Sequence, residues 1–146
     1  MMYIFIDPGE NTGWAIFDAD GNEVDVFTTR TFEKTCANIF QYINNRVPIK
    51  NVIAENFRLY PWKSQSQMWS EFETVQVIGA VRARCLEYNI PFETVPAHNK
   101  GMGFMYMGIK EPSHSNPANH QLVAMAHGVF WLQKSGIRTP QQGRQK

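Results

Sequence analysis

The first apolar run of the chain, Tyr3-Ile4-Phe5-Ile6, ends in a carboxylate, Asp7, and turns at Pro8-Gly9. A strand apolar at every position belongs at the buried centre of a sheet rather than at its solvated edge. The pattern resumes in Thr12-Gly13-Trp14-Ala15-Ile16-Phe17, giving predicted strands over 3–7 and 12–18. Asp20-Gly21-Asn22 then reads as a hairpin turn into a third strand over 23–29, so the chain opens as an antiparallel meander. Thr31 is placed to cap a helix from Phe32 to about Arg46 whose inner face carries Ile39, Phe40 and Ile43. Asn51-Val52-Ile53-Ala54 repeats the opening arrangement and runs into Glu55, a predicted strand over 51–55.

Beyond Glu55 comes a polar and aromatic loop, Asn56 to Ser64, and then a long predicted helix from about Ser66 to Tyr88. Met68, Phe72, Val75 and Gly79 form a stripe along it, and Gly79-Ala80 with Ala83 permit close approach of a neighbouring element. Ile90 to Val95 reads as a short strand, and the Gly- and Met-rich stretch 98–116 as a mobile loop. The last helix is marked by Asn116 as cap, Pro117 at its first position and Gly136 past its end. The order β-β-β-α-β-α-β-α predicts an α/β protein of the ribonuclease H-like type, a mixed sheet flanked by helices. In that topology the first and fourth strands lie side by side and parallel, which brings Asp7 and Glu55 together; their spacing in the sequence alone does not.

A length of 146 residues with 43% apolar and 18% charged positions describes one globular domain with a real core. No apolar run approaches the ~20 residues that cross a bilayer, and no signal-peptide pattern opens the chain, so a cytoplasmic protein is expected. Cys36 and Cys85 have no metal-type spacing and read as small core residues. The net charge of +1 hides an asymmetry: after Glu111 there is no acid, while Lys134, Arg138, Arg144 and Lys146 follow. The expected division is a domain over 1–135 and a basic tail over 136–146. Such a tail either keeps the protein soluble or contacts phosphates.

Asp7 and Glu55 carry hard oxygen ligands suited to magnesium or manganese, and two such ions together activate water against a phosphodiester. The alternative is that each acid only shapes a turn, Asp7 by bonding the backbone before Pro8-Gly9. His120 and His127 are seven apart and share a helical face with Ala124 and Trp131. His120, in the first turn, reads as ligand or general base, and His127 as a core histidine. Phe57, Arg58, Tyr60, Trp62 and Lys63 interleave rings and cations directly after Glu55, which fits contact with phosphates and unstacked bases. The same aromatics would equally fold under the domain. Lys100 is within reach of the same phosphates. The run from Gly101 to Gly108 lacks the dinucleotide fingerprint, and no Walker loop, nucleophile elbow or zinc spacing occurs, so no nucleotide cofactor is expected.

Ile6-Asp7-Pro8-Gly9 with Thr12-Gly13-Trp14-Ala15, then Ala54-Glu55-Asn56-Phe57-Arg58, resembles the RuvC-like Holliday junction resolvases, especially compact phage forms. So do Trp69-Ser70 with Thr74 to Gly79, Pro96 to Lys100-Gly101, and His120 to Gly128; the resemblance spans about residues 3 to 132. It implies a homodimeric endonuclease with two magnesium or manganese ions per active site, nicking Holliday junctions or other branched DNA in a bacterial or phage-infected cytoplasm. By that resemblance Asp7, Glu55 and His120 are catalytic metal ligands, with His120 at the first position of a His-x-x-Asp-Ala motif. The motif's aspartate falls at Val123, and the last helix holds no other acid. Two readings follow: cleavage with the second ion held by Asp7, His120 and substrate phosphates, or a junction-binding protein with impaired catalysis. A sugar-kinase-like phosphotransferase, which shares part of the first motif, needs a two-lobed cleft that this length cannot supply.

Overall fold

The computed structural model describes residues 1–45, 47–57, 65–113 and 116–139, and of 65–71 the backbone alone. Strands β1 (Met2–Asp7), β2 (Thr12–Phe17) and β3 (Glu23–Thr29) precede helix α1 (Phe32–Asn44) and strand β4 (Ile49–Glu55). Helix α2 (Gln65–Glu87), strand β5 (Phe92–Val95) and helices α3 (Asn99–Met107) and α4 (Asn119–Lys134) complete the chain. The sheet order is β3-β2-β1-β4-β5, with β1 antiparallel to β2 and parallel to β4, and β4 parallel to β5. This is the predicted α/β arrangement, and β1 lies at its centre as its unbroken apolar run requires.

Alternation along β1 divides the core into two layers. Ile4 and Ile6 face α1 and α2, packing with Trp14, Ile16, Val52, Ala54, Ile39 and Val81. Tyr3 and Phe5 face the other way, onto α4, with Phe17, Ile53, Val129 and Leu132. A hydrogen-bonded group under α1 keeps the first layer satisfied: Trp14 Nε1 donates to Thr29 Oγ1 at 2.8 Å, and Thr29 shares a 2.7 Å bond with Thr35. At the start of α1, Thr31 accepts from the Lys34 amide as expected.

Several expectations change. Phe40 lies on the outside of α1, under the Arg84 guanidinium at 4.4 Å, so Ile39 and Ile43 alone carry the predicted inner face with Thr35. On α2 the buried side is Val77, Val81 and Cys85, while Phe72 is 53% and Val75 44% exposed and Gly79 is open. The Met68 side chain lies outside those described. The stretch read as a loop from 98 contains α3, whose Gly103 sits so close to the Ala126 backbone that a Cβ would collide with it. Packing against α4 therefore outweighs the low helix propensity of Gly101 and Gly103. Finally, α4 begins at Asn119; Asn116 caps the turn before it, accepting from the Ala118 amide at 3.0 Å. Its end follows the expected form, with Gly136 at φ +74 and the Ile137 amide bonded to the Leu132 carbonyl at 2.9 Å. Cys85 is buried but Cys36 only half so. No helix among the described residues is long and apolar enough to cross a membrane.

Candidate active site

The alternation that puts Tyr3 and Phe5 on the α4 side also puts Asp7 there, and the same parity from Ile53 puts Glu55 there. The parallel register, ending at Ile6 opposite Ala54, makes these two acids neighbours at the carboxyl ends of β1 and β4. Above them α4 crosses the sheet. Its first turn lies against β2 at Gly13, the residue opposite Asp7, where a Cβ would run into the His120 carbonyl. The absent side chain at Gly13 thus seats the start of α4 beside Asp7.

His120 Nδ1 lies 2.8 Å from Asp7 Oδ2, and His127 Nε2 lies 2.8 Å from Glu55 Oε2. Two turns of one helix therefore each hold one of the two acids. Lys100, in the first turn of α3, places Nζ 3.8 Å from Glu55 Oε1. Burial pushes the Asp7 carboxyl above its ordinary range; the His120 hydrogen bond opposes this, and the Glu55 charge adds to it. His120 is raised above 6.5, chiefly by its hydrogen bond to Asp7, against the effect of burial. The turn between β1 and β2 is fixed from the other side, where Thr74 on α2 donates to the Pro8 carbonyl at 3.3 Å.

Of the residues singled out in the sequence, Asp7, Glu55, His120 and Lys100 come together, and Phe57 stands half-buried two residues past Glu55. Arg58, Tyr60, Trp62 and Lys63 lie outside the described residues. His127, expected as a core histidine, is 2% exposed but its ring is bonded to Glu55. The seven-residue spacing held that signal, since it repeats the His120 position two turns on. Arg138 of the basic end is tied down, donating to the Gly21 carbonyl at 3.1 Å with its guanidinium over the Phe17 ring. Arg144 and Lys146 lie outside the described residues.

Val123 is 3% exposed and packs with Phe104 and Ala126, with Met107 and Leu122 at the edge of the cluster. It brings apolar surface where the resembling motif carries an acid. Among the described residues no three His, Cys, Asp or Glu side chains stand in an arrangement that holds a metal ion. The donor chemistry fits one hard cation at the Asp7–Glu55 pair, where two acids raise the cost of each other's charge. For a second ion, α4 offers no carboxylate.

No protein-family model matches the sequence, and no curated protein matches it. Solved structures do match. Thermus thermophilus RuvC in complex with a Holliday junction substrate aligns at a TM-score of 0.65 and 15% identity, over 94% of this chain and 98% of that one. A second Thermus thermophilus RuvC structure aligns at 0.60 and 16% identity with the same coverage. At that identity the likeness speaks for architecture: the chain has a RuvC-like, ribonuclease H-like fold.

Proposed function

We propose that this chain is a divalent-metal-dependent endonuclease that hydrolyses phosphodiester bonds in Holliday junctions or related branched DNA, working as a homodimer. The observation that carries the reading is the meeting of Asp7, Glu55 and His120, drawn from β1, β4 and α4, at the carboxyl ends of two buried parallel strands. Support comes from the fold it shares with Thermus thermophilus RuvC, which is described in complex with a Holliday junction.

A magnesium or manganese ion held by Asp7 and Glu55 would supply an activated water and charge stabilisation at the leaving oxygen. His120, with Nδ1 engaged by Asp7, keeps Nε2 as the ring nitrogen able to exchange a proton with the attacking water. Lys100 sets a fixed positive charge beside Glu55, where a scissile phosphate would lie. Phe57 begins the segment that, with Arg58, Tyr60, Trp62 and Lys63, is assigned to contact with phosphates and unpaired bases. Arg138 is committed to the β2–β3 turn, and the proposed phosphate contacts are Lys100, this segment and the rest of the basic end.

A second reading, a junction-binding protein with impaired catalysis, is favoured by one observation, the apolar burial of Val123. One assay separates the two: a labelled four-way junction and a linear duplex, each incubated with and without magnesium or manganese. The nuclease reading expects metal-dependent nicks in the junction, reduced on the order of 100-fold or more by Asp7→Asn, with junction binding retained. Binding without cleavage, converted to cleavage by Val123→Asp, establishes the second reading. Equal binding of junction and duplex overturns both.

A further inference from the structure

His127 lies midway along α4, with Ala126 before it and Val129 two residues on, both buried, so the backbone that carries it is packed against its surroundings. Its ring is 2% exposed and does not reach solvent. Nε2 is 2.8 Å from Glu55 Oε2, while Nδ1 is buried with no hydrogen-bond partner among the described residues. A carboxylate only accepts, so the proton of this hydrogen bond is on Nε2. That assignment also suits Nδ1, because a lone pair left without a partner costs less in a buried site than an N–H with no acceptor.

Glu55 ends a strand on a side chain with three rotatable bonds, and its carboxyl group must be held in one orientation to act together with Asp7. We propose that His127 is a positioning residue: its Nε2–H, fixed by the packing of α4, holds the Glu55 carboxylate in the orientation in which it meets the same cation or phosphate as Asp7. His127 touches no substrate. The inference rests on Glu55 being a working acid of the proposed nuclease, and it adds a group that the sequence pattern places in the core. It also makes α4 the common support of both acids, with His120 on Asp7 and His127 on Glu55.

The test compares His127→Leu, which keeps the bulk and removes the donor, with His127→Gln, whose amide nitrogen can stand near the position of Nε2. On the four-way junction His127→Leu is expected to lower kcat roughly 10- to 100-fold with KM and junction affinity unchanged, and His127→Gln to recover most of the loss. Two NMR readouts are independent of cleavage. The wild-type His127 ring should show the Nε2–H tautomer, and the Glu55 carboxyl carbon should become more mobile in His127→Leu and regain order in His127→Gln. An Nδ1–H tautomer, or a Glu55 side chain equally ordered in both variants, overturns the proposal. A wild-type chain that cuts nothing overturns the nuclease reading instead, and the NMR pair then decides the positioning role alone.

Discussion

Asp7 carries two opposed demands. Its carboxylate is needed as a charge at the strand end, yet burial disfavours that charge, and His120 offsets only part of the penalty. His120 in turn is raised above 6.5, because the folded protein holds its proton against Asp7. The consequence for stability has a definite sign. A histidine with a raised pKa contributes stability that is fully present below pH 6.5 and is lost as the pH rises through the raised value. The raised Asp7 carboxyl acts in the same direction, since the folded state holds its proton more tightly than the unfolded chain. With divalent metal removed by a chelator, the melting temperature is therefore expected to fall as the pH is raised above 6.5. Asp7→Asn should flatten that fall, because it removes the charge that holds the proton on His120, and it should also relieve the cost of a buried carboxylate. Thermal melts of the two proteins across this range check it; a wild-type melting temperature that climbs with pH contradicts the assignment. The residue most needed for the proposed chemistry would then be one whose neutral replacement leaves the fold at least as stable.

At the scale of elements, the site depends on how closely α4 lies on the sheet. Gly13 and Gly103 each meet α4 backbone directly, at His120 and Ala126, where no Cβ would fit. Gly13→Ala is expected to push the first turn of α4 off β2, at a cost of roughly 1–3 kcal/mol, and to break the Asp7–His120 hydrogen bond. Loss of the pH-dependent stability described above, together with loss of cleavage in a still-folded protein, would show this; an unchanged pH profile would contradict it. The same closeness explains what could be read from the sequence. Alternation, a local rule, put Asp7 and Glu55 at the ends of two buried strands, but their adjacency is a long-range pairing of β1 with β4 and followed only from the expected topology. Helix α3 was not legible: a run rich in Gly and Met reads as loop until Gly103 is seen to permit a helix crossing. His127 was passed over because a histidine on an apolar helix face looks alike in both roles, and only the partner at 2.8 Å distinguishes them. On α2 Val77, Val81 and Cys85 face the core, while Phe72 and Val75, from the stripe that stands out in the sequence, face out.

That outward stripe bears on the whole molecule. Phe72, Val75, Gly79, Ala83 and Leu86 share one face of a 23-residue helix, and Leu86 is 77% exposed. Apolar side chains flanking Gly79 and Ala83 allow a second helix to approach closely, and a two-fold pairing of α2 with α2 would bury the same residues on both subunits. Thr74, on the same helix, also holds the β1–β2 turn that follows Asp7, so a pairing along α2 would fix the separation and mutual direction of two active sites. A four-way junction has two strands of matching polarity at its branch, and a two-fold dimer would meet both. The expected outcome is a wild-type protein that sediments as a dimer and introduces paired nicks. Val75→Lys combined with Leu86→Lys alters only exposed positions, so its melting temperature should stay close to wild type. It should sediment as a monomer, and the two nicks of a junction should become independent events. A wild-type protein that is monomeric at every concentration, with and without junction DNA, would contradict the proposed dimer, as would a double variant that still pairs. Independent nicking by the monomer would place the chemistry within one chain and the pairing of cuts in the α2 contact.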